Sequence, residues 1–147
     1  MTGAALAAAW ATAVVSGLAA LVGAVAWWQV RQSRAFWVLV RAAQAVAIGQ
    51  AIVAGVLAVL SFDPDDGLYW LYALLPVAVG FFAEQLRVVS TEQVLERLEL
   101  DDADAVRRLP EERQRSVVVS ILRREMGVMT LAAVVVCFLA VRAIETL

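Results

Sequence analysis

The stretch AALAAAWATAVVSGLAALVGAVAWW, residues 4–28, runs without one charged side chain and decides what kind of protein this is. Three more runs share its character: Ala42 to Leu60, Leu68 to Phe82 and Gly127 to Val141. At about 1.5 Å per helical residue, each is long enough to cross a hydrocarbon layer of about 30 Å, or nearly so until its flanks are added. The chain has 147 residues and is 63% hydrophobic, more apolar surface than a water-soluble domain of that size can hide. The expectation is an all-α, polytopic membrane four-helix bundle, one domain over residues 1–147. Its spans lie at about 4–28, 38–60, 67–87 and 120–143. A cytoplasmic helical connection at about 88–119 includes a short amphipathic segment.

The first run reads as an uncleaved span rather than a signal peptide. Met1-Thr2-Gly3 carries no basic residue, and the run exceeds the roughly 7–15 residues of a signal core.

Charge sits between the runs and gives an orientation. All 12 basic residues are arginine, with no lysine. The first connection, Gln29 to Arg41, holds Arg31, Arg34 and Arg41 and no acid. The second, Ser61 to Gly67, holds Asp63, Asp65 and Asp66 and no base. The third, Arg87 to Glu125, holds Arg87, Arg97, Arg107, Arg108, Arg113, Arg115, Arg123 and Arg124. Four spans place the first and third connections on one face, which the positive-inside rule makes cytoplasmic. Both termini and the acidic turn then lie outside. Trp27, Trp28, Phe36 and Trp37 near one interface, with Tyr69, Trp70 and Tyr72 near the other, suit the aromatic belts of a bilayer. An arginine-only, alanine- and valine-rich chain points to a high-GC bacterium and its cytoplasmic membrane.

Within the third connection, Ser90 and Gln93 have the spacing of a capping box, predicting a helix over about Thr91 to Leu100. A break and a new amino cap are expected near Asp102, with Val106 and Leu109 as the apolar edge of a second short helix. Pro110 followed by Glu111 and Glu112 suits the first turn of a long final helix, roughly Pro110 to Ala143. Pro76 is expected to bend the third span.

Small residues recur at four-residue spacing: Ala13-Gly17 and Ser16-Ala20-Ala24 in the first span, Ala43, Ala47, Ala51 and Gly55 in the second, with Ala45-Gly49 beside them. Such stripes let helix backbones approach closely. Gln50, the strongly polar side chain in the middle of the second span, is expected to find a partner across a helix interface, inside the chain or on another subunit.

One polar constellation stands out. Arg41 and Gln44, Glu84 and Arg87, and Arg123 and Glu125 fall at the same inner end of three spans. Charges at that depth pair or snorkel. They are expected to form an ion-pair layer; a site for an anionic headgroup, proton or small substrate is the alternative. No span carries a central carboxylate, which argues against proton-coupled multidrug transport.

The segments Arg34-Ala35-Phe36-Trp37, Ala83-Glu84-Gln85-Leu86-Arg87 and Arg123-Arg124-Glu125-Met126-Gly127-Val128-Met129 resemble small four-span membrane proteins of high-GC bacteria. The resemblance implies the fold and carries no activity.

No histidine and no lysine are present, so histidine-bound metal or haem, histidine base catalysis and lysine Schiff bases are excluded within this chain. The single Cys137 lies in the fourth run and reads as a small hydrophobe. No cofactor or metal is expected, nor any nucleic-acid partner, since the arginines lack interleaved aromatic residues. Anionic lipid headgroups are the simpler partner. The expected function is a non-catalytic accessory, assembly or scaffold subunit packing against a membrane partner. The alternative is an oligomeric transporter or channel with Glu84 and the arginines at its inner mouth.

Overall fold

The computed structural model describes residues 1–99 and 103–147. Four long helices, α1 (Thr2–Trp28), α2 (Arg34–Val59), α3 (Leu68–Arg97) and α5 (Glu111–Glu145), are each long and apolar enough to cross a membrane. A one-turn helix, α4 (Ala103–Arg107), precedes α5. The chain is a multi-pass membrane protein built as an all-α bundle. In the ring, α1 packs on α2 and α5, and α3 packs on the same two helices, with little contact across the diagonals. Neighbours are antiparallel. Gln44 meets Glu84 while Gln50 meets Ala73, so α2 and α3 run in opposite directions. The approach of α1 Gly17 to Cys137, and of Gly23 to Thr130, says the same for α1 and α5.

Most of what the helices turn inward is small, with Phe36, Tyr69, Met126 and Met129 as the large exceptions, and much of what they turn outward is large. On α1 the buried positions Ala5, Ala9, Thr12, Ser16, Ala19, Gly23 and Ala26 alternate in steps of four and three. The same alternation selects Phe36, Val40, Ala43, Ala47, Gln50, Ala54 and Leu57 on α2, and Met126, Met129, Ala133, Val136, Ala140 and Ala143 on α5. On α3 it runs Tyr69, Ala73, Pro76, then Ala83, Ser90 and Val94. A repeat averaging 3.5 residues keeps one seam facing the neighbour and gives left-handed packing. Leu21, Val38, Ile52, Phe82, Leu131 and Phe138 point outward. Sorting by size rather than polarity is what a lipid solvent allows. Hydrocarbon satisfies Leu or Phe as well as a core does, so the interior is given to residues that let backbones close up.

The closest approach is at Gly23. A methyl group there would sit 2.4 Å from Thr130 Oγ1 and 2.5 Å from a ring carbon of Phe36, closer than real atoms come. Gly23 thus lets α1, the start of α2 and the middle of α5 meet at one point. At Gly127, a Cβ would come within 3.2 Å of the Trp27 indole nitrogen.

The stripes read by fours need correction. Ala43 and Ala47 are buried, but Ala51 is half-buried and Gly55 is exposed; the buried face continues instead through Gln50, Ala54 and Leu57. Ala24 likewise faces outward while Gly23 is buried. An exact four-residue step outruns the 3.6-residue turn and rotates off the seam.

Helix boundaries depart from the expected ones where charge does not interrupt the backbone. Ser33 accepts a hydrogen bond from the Phe36 amide at 3.3 Å and starts α2 at Arg34, so Arg34 to Trp37 are helical rather than part of a loop. Ser90 does not cap a new helix. It is buried inside α3, which runs unbroken from Leu68 to Arg97, and Gln93 instead accepts a hydrogen bond from Arg124 at 2.9 Å. A capping box needs a non-helical residue before it, and Arg87-Val88-Val89 supplies no breaker. The expected break near Asp102 lies outside the described residues, as does Leu100; Val106 and Leu109 are half-buried. Pro110 stands just outside α5, with extended backbone (φ −55°, ψ 147°), and Glu111 and Glu112 form the first turn.

α1 ends with the Arg31 amide on the Ala26 carbonyl at 3.0 Å and the Val30 amide on Trp27 at 3.2 Å. This helix-ending pattern puts Val30 in the left-handed region at φ 48°, uncommon for a β-branched residue. The α2–α3 turn uses the same pattern with Ser61 at φ 56°. There Asp66 accepts from the Leu68 amide at 2.9 Å, satisfying one free donor at the start of α3. At this end Phe62 meets Tyr69 edge-on at 6.1 Å, and Arg142 pairs with Glu145 and lies 5.6 Å over the Tyr72 ring.

Two glycine classes follow. Gly23→Ala is expected to destabilise the detergent-purified bundle by about 1–3 kcal/mol, the usual range for overpacking. Gly49→Ala and Gly55→Ala, where a Cβ meets nothing within 4 Å, should be neutral or stabilising by up to about 1 kcal/mol. Unfolding followed by circular dichroism separates them; equal midpoints for Gly23→Ala and Gly55→Ala would contradict the assigned seam.

Candidate functional site

Three helices bring their polar residues together near the arginine-rich end of the bundle. Arg41 and Gln44 lie three residues apart on α2, hence on one face, and an Arg41 Nη donates to the Gln44 side-chain oxygen at 2.7 Å. The same Arg41 nitrogen donates to Glu84 Oε1 at 2.7 Å, and Gln44 Nε2 donates to that oxygen at 2.8 Å. The other oxygen, Glu84 Oε2, accepts from Arg87 Nε at 3.1 Å. Both lone-pair faces of the carboxylate are therefore engaged by side chains of this chain.

Arg87 carries the network across to α5. Its Nη lies 3.7 Å from Glu125 Oε1, and its guanidinium carbon stands 5.6 Å from the centroid of the Trp37 ring. The flat, delocalised cation suits that position, with acids at its edge and an indole on its face. Thr91, one turn beyond Arg87, places its hydroxyl 3.1 Å from Glu125 Oε1 and 3.3 Å from its own helix carbonyl at Arg87. The formal charges of Arg41, Arg87, Glu84 and Glu125 cancel. Side-chain exposure is 20% for Glu125, 25% for Glu84 and 28% for Arg87 but 57% for Arg41, so three members are sheltered and Arg41 is the one that reaches out.

Of the sequence-predicted set, the structure joins Arg41, Gln44, Glu84, Arg87 and Glu125. Arg123 lies on the exposed side of α5, outside the layer. Thr91 and Trp37 belong to the network and were not expected there. Thr91 could have been read from spacing, since it lies seven residues after Glu84 and four after Arg87, on their helical face. Trp37 could not: its role depends on how α2 sits beside α3.

Beneath this layer the bundle axis is nearly filled. A cavity of about 30 Å³ lies among Ser16, Gln44, Ala47, Pro76, Gly80 and Met129. That is room for about one water. The buried Ser16 hydroxyl on its wall has no hydrogen-bond partner among the described residues. Beside it, a groove of about 270 Å³ opens laterally between α2 and α3, bounded by Gln44, Ile48, Pro76, Gly80, Phe81 and Glu84. Gly80 and Pro76 make this groove, because neither fills the seam as a larger aliphatic residue would. Gln50, only 2% exposed, points into the bundle and not to its surface. Its amide nitrogen lies 3.5 Å from the Ala73 carbonyl of α3. Its side-chain oxygen is buried without a hydrogen-bond partner among the described residues. Cys137, on the α1–α5 seam, lies 3.4 Å from the Ala13 carbonyl.

Among the described residues, no group of three or more acidic or cysteine side chains is placed to hold a metal ion. No protein-family model, curated protein or solved structure matches this chain.

Glu84→Gln leaves two guanidinium groups around a neutral amide. It is expected to lower stability in detergent by about 1–3 kcal/mol, the cost of an uncompensated, sheltered charge. Arg123→Gln should change stability by less than about 0.5 kcal/mol. In the Arg41→Gln/Glu84→Gln double variant the loss should be smaller than the sum of the single losses. Strict additivity would show that Arg41 and Glu84 do not interact.

Proposed function

We propose that this chain is a non-catalytic accessory, assembly or scaffold subunit of a bacterial cytoplasmic membrane, packing against a membrane partner. The observation that carries the reading is the engagement of both Glu84 oxygens by side chains of the same chain. That carboxylate is held by Arg41, Gln44 and Arg87, so the most chemically capable acid near the bilayer is committed to fixing helix register. The small-residue packing supports the same reading, since the axis of one copy holds a void of only about 30 Å³ and offers no passage.

The outward face of α2 suits a partner. Ala45 is exposed, Gly49 and Gly55 have open space over them, and Ile52 beside them is 61% exposed. Such a surface admits a second transmembrane helix at close range. In this reading the arginine-rich end faces the cytoplasm, both termini and the Asp63–Asp66 turn face outward, and the remaining arginines meet anionic headgroups.

A second reading is favoured by one observation, the lateral groove between α2 and α3 with Glu84 and Gln44 at its inner end. An oligomer that closed this groove could build a path for a small substrate, with Glu84 at the mouth.

Affinity capture of the tagged chain from native membranes in mild detergent tests the two. A stoichiometric co-purifying membrane protein is expected under the scaffold reading. Recovery of the chain as a pure homo-oligomer, together with flux in reconstituted vesicles that falls in Glu84→Gln, would replace it with the transporter reading.

A further inference from the structure

The α1–α2 hairpin carries a second polar feature, separate from the ion-pair layer. A cavity of about 430 Å³ opens on its outer side, within the range of small-molecule sites. Its floor is aliphatic: Leu21 and Val25, 68% and 57% exposed, are the side chains that face lipid there. Its rim is polar and basic: Gln29, Arg31, Ser33 and Arg34. The two halves are stacked along the bilayer normal, apolar below and cationic above. Trp28, 82% exposed, stands beside the rim as an interfacial ring does.

The rim arginines differ from those of the layer. Arg41 and Arg87 are neutralised by Glu84 and Glu125. Arg31 and Arg34 make no ion pair among the described residues, and no acid occurs anywhere from Gln29 to Arg41. Arg34 also stands seven residues, about 10 Å, above Arg41 along α2, which lifts it from the hydrocarbon edge to the headgroup level. Arg31 follows Val30, whose left-handed backbone fixes the turn that brings both guanidinium groups to one rim. The Ser33 hydroxyl oxygen accepts from the Phe36 amide and keeps its proton free to donate, but it is neutral, so charge recognition falls to the two arginines.

We infer that this cavity is a discrete binding site for one anionic phospholipid of the arginine-side leaflet, its phosphate between Arg31 and Arg34 and an acyl chain along Leu21 and Val25. A free anion would leave the aliphatic floor unused, and a zwitterionic lipid would leave the surplus positive charge unanswered. The inference builds on the membrane reading above and is independent of the scaffold role. A failed lipid assay leaves partner capture intact, and the reverse holds too.

The test is native mass spectrometry of the full chain in mild detergent, titrated with phosphatidylglycerol or phosphatidylcholine. One tightly retained phosphatidylglycerol is expected, with roughly tenfold or greater weakening in Arg31→Gln/Arg34→Gln. Arg113→Gln/Arg115→Gln, an equal charge change on α5, should retain wild-type binding. The Arg31→Lys/Arg34→Lys pair should keep much of it, and melting curves of each variant show that the bundle is folded. Equal loss in the α5 control, equal retention of both lipids, or displacement of the lipid by millimolar inorganic phosphate would each overturn the proposal.

Discussion

The close approach of helix backbones along seams of alanine, glycine, serine and threonine is the constraint on which the rest of this molecule depends. Lipid gives apolar side chains no reason to leave its company, so association rests on dispersion contacts and on the few polar contacts that proximity permits. Gly23 is where the constraint is tightest, with α1, α2 and α5 converging on a site that admits no side chain. If α1 moved away from α5, the Ala9, Ala19 and Ala140 contacts, all fully buried, would open together.

The polar layer is a consequence of that geometry. Glu84 is reached from α2 by Arg41 and Gln44, whose long side chains span the groove that Gly80 leaves between α2 and α3. Arg87 occupies a seam position in the three–four alternation, where the helices above it place alanine. It is tolerated there because Glu84, Glu125 and the Trp37 ring surround it. The charged layer therefore marks the depth at which close packing gives way to the polar connection, and it registers three helices against one another. Arg31 and Arg34 make no ion pair among the described residues and line a separate cavity beside the α1–α2 turn.

Much of the fold was legible because hydrocarbon imposes length and charge exclusion directly on sequence. Four runs, their order and the absence of arginine from the second connection needed no knowledge of contacts. Boundaries were less legible: arginines mark the edge of the membrane but do not end a helix, so α2 begins at Arg34 and α3 runs through Ser90 to Arg97. The stripes read by fours divided between the bundle interior and its outer surface. Steps of four selected Gly55 and Ala24, which face outward, whereas alternating fours and threes would have reached Gln50, Ala54 and Gly23. Most members of the polar layer could be named from depth alone, but Arg123 could not be excluded, because exposure depends on which side of α5 meets α3.

By itself, then, the sequence determined that this chain crosses a bilayer four times as helices. Burying uninterrupted apolar runs and satisfying every backbone amide in lipid leaves no other solution. Only the tertiary structure decided which residues meet. It seated the Trp37 ring on Arg87, placed both Glu84 oxygens among donors from two helices, turned Gln50 inward to α3 and set Arg31 and Arg34 on one rim. Those pairings depend on the rotation of each helix about its axis, and a few degrees of supercoil, accumulated over several turns, decide which side chain arrives at the seam.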